Sequence, residues 1–133
     1  MRRERRLLVA EGEDLLEAAL ARGVLPAALL VDAERVPDDD PRLAATAGVA
    51  ERYRVPGGLM ARASGLAAPP RFLAILPQPP ERSFRDVRFP PALGVFLAGV
   101  ADPGNVGTLV RTAAALGTDW LALGQGSADP FHP

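Results

Sequence analysis

Short apolar runs alternate with amphipathic stretches along this 133-residue chain, and the two periods separate strands from helices. Arg6 to Ala10 (RLLVA) predicts a strand. From Glu11 to Arg22, Leu15, Leu16, Ala19 and Leu20 keep to one face of a helix that Gly23 stops. A second strand is predicted at Ala28 to Val31 (ALLV). DDDPRLAATAGVA then supplies acidic caps and a proline for the start of another helix. The strand ERYRV, the helical piece GLMARASG and the strand RFLAIL complete the pattern. Strands separated by helices at this spacing predict an α/β fold with a small, mostly parallel sheet and helices on its faces.

The stretch LPQPPERSFRDVRFPP, residues 76–91, interrupts the pattern with prolines that cannot donate to a ladder or sit inside a helix. It divides the chain into a first domain over residues 1–78, a linker over 79–91 and a second domain beginning at 92. There ALGVFLAGV, 92–100, is nearly all apolar and predicts a strand buried on both faces. Asp102-Pro103-Gly104-Asn105 predicts a turn in which Asn105 caps a helix from Val106 to Leu116, ended by Gly117. WLAL, 120–123, is the next strand, followed by GQGSADPFHP. One βαβ unit cannot cover both faces of its sheet, so the second domain reads as incomplete.

Charge is distributed unevenly over these elements. All fifteen basic residues are arginine, and beyond Arg88 only Arg111 remains. Net charge is −1, so electrostatics favour a nucleic-acid partner only through local patches. Arg2, Arg3, Arg5 and Arg6 form such a patch, open to reading as an RNA-phosphate contact or as a solvated leader. The chain has no cysteine, which excludes disulfides, thiol nucleophiles and cysteine zinc sites. His132 lacks the companions of a triad or metal site, and no metal is expected. No run is long enough to cross a bilayer and the N-terminus turns acidic before a signal-peptide core could develop, so the expected location is cytoplasmic.

Three features have the residue types of a functional site. The glycine loops GNVG, 104–107, and GQGSAD, 124–129, sit at strand ends, but neither completes a dinucleotide fingerprint or a P-loop. Glu11, Glu13, Asp14 and Glu17 cluster, but they fill the first turns of a helix, where carboxylates suit the dipole. In the helix after Asn105, Val106, Leu109, Val110 and Ala113 form an apolar stripe. Arg111 projects from a flank shared with Gly107, Thr108 and Ala115, either as an exposed arginine whose stem covers apolar surface or as a functional cation with room around it.

ADPGNVGTLVRTAAALG, 101–117, resembles the first motif of the SpoU (TrmH-type) RNA ribose methyltransferases of the SPOUT superfamily, DP-x-N-x-G-x-x-x-R-T-A. Asp102, Pro103, Asn105, Gly107, Arg111, Thr112 and Ala113 match it. VAEGEDLLEAALARG and RASGLAAPPRFLAIL are similar to the start and end of that family's substrate-binding domain, and GQGSADPFHP to the segment after its next strand. The chain departs from the family at Leu66 to Arg71, where many relatives have a T-x-T-P-Q-G-like stretch.

The resemblance implies a small α/β/α RNA-binding domain followed by the first βαβ of a knotted, Rossmann-like parallel sheet. It implies methyl transfer from S-adenosylmethionine to a ribose 2′-hydroxyl of structured RNA, rRNA rather than tRNA, by a homodimer. Arg111 is implied to act at the target hydroxyl and Asn105 to shape the site beside it. The cofactor pocket is expected beyond residue 133, so the 133 residues alone are expected to be inactive. The rival reading is a non-catalytic RNA-binding or assembly module; an unrelated metabolic α/β enzyme would need a cofactor fingerprint that the sequence lacks.

Overall fold

The computed structural model describes residues 6–64, 66, 68–80 and 93–131. Arg2, Arg3, Arg5, His132 and most of the 79–91 linker lie outside the described residues. The chain divides into two compact units, Met1–Pro79 and Pro80–Pro133.

In the first unit the elements run β1 (Leu7–Glu11), α1 (Glu13–Leu20), β2 (Ala28–Asp32), α2 (Pro41–Ala45), β3 (Glu51–Val55), α3 (Gly57–Ser64) and β4 (Phe72–Pro77). All seven fall where the periodicity predicts them, within a few residues. The sheet order is β1-β4-β2-β3. β2 and β3 are parallel, but β4 inserts between β1 and β2 and runs antiparallel to both. The sheet is therefore mixed, not mostly parallel. Local patterning fixes which segments are strands, whereas their order depends on pairings distant in sequence.

The pleat sends alternate side chains to opposite faces. Ala10, Leu29, Val31, Phe72, Ala74 and Leu76 face Leu16 and Ala19 of α1, with Leu43 of α2 packed against this main core. On the other face Val55 and Leu73 meet Met60 of α3. Leu15, expected on the buried stripe of α1, is 53% exposed. Helix α2 starts as its sequence predicts, with the Asp40 side chain accepting from the Arg42 N–H at 3.0 Å and Pro41 following the cap.

The second unit contains β5 (Gly94–Leu97), α4 (Pro103–Ala115) and β6 (Trp120–Leu123), with β5 and β6 parallel. Helix α4 begins three residues earlier than expected. Asp102, not Asn105, is its cap: the Asp102 carboxylate accepts from the Asn105 N–H at 2.7 Å, and Pro103 occupies the first turn. Asp and Asn cap almost equally well, and the proline, pre-set for the first helical position, decides between them. Gly117, at φ 71°, closes the other end with Thr118 N–H donating to Ala113 O at 3.0 Å.

Only Val106 and Ala113 of the expected α4 stripe are buried; Leu109 is 39% exposed. β5 is not buried on both faces either, since Phe96 is 60% exposed. Two strands and one helix cannot enclose both sides of a sheet. On that face the aromatic rings lie over glycines of the neighbouring strand or its end. A Cβ at Gly94 would fall inside the indole of Trp120, and one at Gly124 would come within 2.7 Å of the Phe96 ring.

Candidate functional site

Because β5 and β6 are parallel, their carboxyl ends share one edge, the position where open α/β sheets build ligand sites. The loop after β5 leads into α4, and the loop after β6 is pinned to it. Gly124 N–H donates to Leu97 O at 2.7 Å, and Ala128 N–H to Val100 O at 2.8 Å. Ser127 bridges the two loops: its hydroxyl donates to Leu97 O at 3.0 Å and accepts from the Val100 N–H at 3.2 Å. Gly99 and Gly126 both take positive φ, and a Cβ on Gly126 would lie 3.7 Å from the Gly99 Cα. The loops after β5 and β6 thus form a joined platform at the foot of α4, whereas GNVG, expected as a strand-end loop, lies inside α4 because the Asp102 cap and Pro103 start the helix ahead of it.

Arg111 lies in the second half of α4 and is exposed. One Nη2 N–H donates to the Thr108 hydroxyl at 3.2 Å, and that hydroxyl donates to Gly104 O at 2.9 Å. Nη1 packs over Gly107, where a Cβ would stand 3.3 Å away. Gly104, Gly107, Thr108 and Arg111 follow helical spacing on one face, so the long side chain folds back toward the helix N-terminus across residues with little bulk. No carboxylate pairs with Arg111 among the described residues. A guanidinium on an exposed helix face can bind an oxyanion bidentately.

Asn105 occupies the first turn of the same helix and is exposed. Its backbone N–H serves the cap, and its side chain makes no hydrogen bond to Arg111 among the described residues. The two residues share a helix but not a face. Arg6 is the one residue of the N-terminal cluster among the described residues, exposed in a turn before β1 with φ 48°.

In the first unit the carboxylates that suit a helix start also have partners that periodicity does not reveal. Glu13 forms a close ion pair with Arg71, and Glu17 pairs with Arg42 at 3.2 Å. Together with Glu11 and Asp14 they line an open cleft of about 570 Å³. Arg42 also chelates Asp40, at 2.8 Å from Nε, and its guanidinium lies 5.1 Å from the centre of the Phe72 ring. That hydrogen bonding holds the Asp40 carboxyl below its usual range despite burial.

Asp32, fully buried at the end of β2, is the polar anchor that sequence reasoning misses. Burial pushes its carboxyl up, but hydrogen bonds from the Arg35 side chain and from the Glu34 and Arg35 N–H groups outweigh this and leave it below the ordinary value. Arg35 then reaches across to donate to Pro69 O and Pro70 O at 2.9 and 3.0 Å. The loop where the sequence departs from the family pattern is thus held by a half-exposed arginine anchored on a buried carboxylate. The only local signal is the Asp-x-x-Arg spacing after an apolar run.

No family model matches the chain. It is 32% identical over 125 residues to the 23S rRNA (guanosine(2553)-2′-O)-methyltransferase RlmP of Bacillus subtilis, a match covering 92% of this chain and 45% of that protein. An AdoMet-bound rRNA methyltransferase from Sinorhizobium meliloti superposes with a TM-score of 0.82 at 29% identity, over 98% of this chain and 48% of that one. The SpoU methyltransferase AviRb from Streptomyces viridochromogenes, in complex with AdoMet, gives 0.77 at 25%, over 98% and 49%. The chain spans about half the length of the relatives it matches.

Proposed function

Starting from a chain that belongs to the SpoU family of RNA methyltransferases, we propose that it forms the substrate-binding domain and the first βαβ of an S-adenosylmethionine-dependent RNA ribose 2′-O-methyltransferase. The single observation that carries this reading is the arrangement of α4. The matched motif residues start a capped helix at the carboxyl edge of parallel strands and place on its exposed face an arginine with no carboxylate partner among the described residues. The named relatives, one of them a ribose 2′-O-methyltransferase of rRNA, support rRNA as the substrate class.

S-adenosylmethionine, when bound, supplies an electrophilic methyl group on a sulfonium. The polar groups of the two described loops do not fit a pocket for it: the Asp102 carboxylate is engaged as a cap and the Ser127 hydroxyl bridges backbone to backbone. The pocket belongs to other parts of the protein. Arg111 grips the phosphate beside the target ribose and stabilises the negative charge that develops on the 2′-oxygen. A guanidinium stays charged at any working pH, so its role is to hold and stabilise rather than to act as a free base. Asn105 shapes the same edge from the first turn of α4, and the Arg2, Arg3, Arg5 and Arg6 cluster contacts RNA phosphates. Two copies pair through the second unit; the exposed Leu93, Phe96 and Leu116 support such a contact.

The test uses protein made from the full reading frame, ribosomal RNA and S-adenosylmethionine with a labelled methyl group. Label should enter RNA at a linkage that resists alkaline cleavage, because a 2′-O-methyl group blocks attack by that oxygen on its phosphate. RNA binding without label transfer would favour the non-catalytic module instead, and label on a base would reject the ribose assignment.

A further inference from the structure

We propose that Thr108 is a positioning residue for Arg111 and that Gly107 supplies the space its guanidinium needs, an inference that rests on the reading of Arg111 given above. An arginine on an exposed helix face has several rotatable bonds and no intrinsic reason to point one way. Here two features narrow the choice. The Thr108 hydroxyl stands in a relay, donating to Gly104 O at 2.9 Å and accepting from Arg111 Nη2 at 3.2 Å. Its own proton is committed to the helix backbone, so its oxygen faces the guanidinium as an acceptor.

Gly107, one turn before Arg111, lets Nη1 lie against the helix. A methyl group there would stand 3.3 Å from Nη1, closer than such contacts normally settle, and the exposed end of the arginine would move away. The guanidinium is therefore held back along the helix toward the platform formed by the loops after β5 and β6. That direction matters only if Arg111 meets a substrate at this edge. Ordering one side chain before binding lowers the cost of reaching the reactive geometry, and misplacement by about 1 Å can reduce a rate by up to about a hundredfold.

Neither residue touches substrate in this proposal, so the test separates direction from folding. In protein made from the full reading frame, Thr108→Val should lower kcat about tenfold with KM changed less than about twofold, and Thr108→Ser should stay within about twofold of the native rate. Gly107→Ala should move two quantities in opposite senses. Alanine favours the helix, so Tm rises or holds, while kcat falls several-fold because the guanidinium is displaced. A second readout does not need activity: the Arg111 Nε–H resonance in NMR spectra should shift in both Thr108→Val and Gly107→Ala and return in Thr108→Ser.

Native kcat in Thr108→Val or Gly107→Ala, or an unmoved Arg111 resonance, would overturn the proposal. If Arg111→Lys itself kept native turnover, the functional reading would fail instead. The resonance would then still decide whether Thr108 and Gly107 direct this side chain.

Discussion

The two units divide the work of packing and of chemistry unequally. The first has four strands with helices on both faces, a fully buried Phe72, and arginines tied to carboxylates and carbonyls at several points. The second has two strands and one helix, and its large apolar side chains are mostly open, with Leu116 71% exposed. Yet the second unit holds an arginine that has no carboxylate partner among the described residues. Charge in the first unit builds structure, whereas the one arginine of α4 adds little to packing, which leaves it available for the role proposed for it.

Phenylalanine truncation gives the largest effect that sharpens this contrast. Phe72→Ala should destabilise the first unit by about 3–5 kcal/mol, through lost burial and the cavity left beneath Arg42. Phe96→Ala, at a ring that is mostly exposed, should change the stability of the second unit by no more than about 1 kcal/mol. Urea titrations followed by NMR can read the two units separately. Similar losses from both substitutions would break the contrast.

A smaller effect comes from acid. The Asp32 and Asp40 carboxyls lie below their ordinary value of 3.8 in the folded chain. As pH falls the unfolded chain takes up protons first, so the stability these groups contribute is fully present above that value and is lost progressively as pH drops beneath it. The first unit should therefore lose stability from about pH 4 downward. An Asp32→Asn, Asp40→Asn double variant should be weaker at pH 7 but flatter below pH 4. Thermal melts from pH 7 to pH 2.5 check this, and an unchanged acid slope in the double variant would contradict it.

How much of this was legible depends on the range of the interaction. Strands and helices were, because the period of apolar residues is local: ERYRV and WLAL fall at Glu51–Val55 and Trp120–Leu123 as patterned. The central place of β4 was not, because its neighbours lie more than forty residues away along the chain and no local signal orders them. Burial misled where a pattern met too little structure to cover it, at Phe96 and Leu109.

In the candidate site the motif residues were legible, but their roles only in part. Asn105 and Asp102 are both good caps, and Pro103 was the clue that selects Asp102. Thr108 looked merely small beside Arg111; its hydroxyl relay to Gly104 emerges only in three dimensions. The ion pairs of Arg71 with Glu13 and of Arg35 with buried Asp32 join or anchor segments that periodicity treats independently.

The most direct test of the central claim is the rate of 2′-O-methyl transfer by the Arg111→Lys variant of protein made from the full reading frame. Lysine keeps the charge and the helix but loses the planar fork. The account predicts a fall in kcat of about a hundredfold or more, with Tm and RNA affinity close to native. Native turnover in that variant would contradict it.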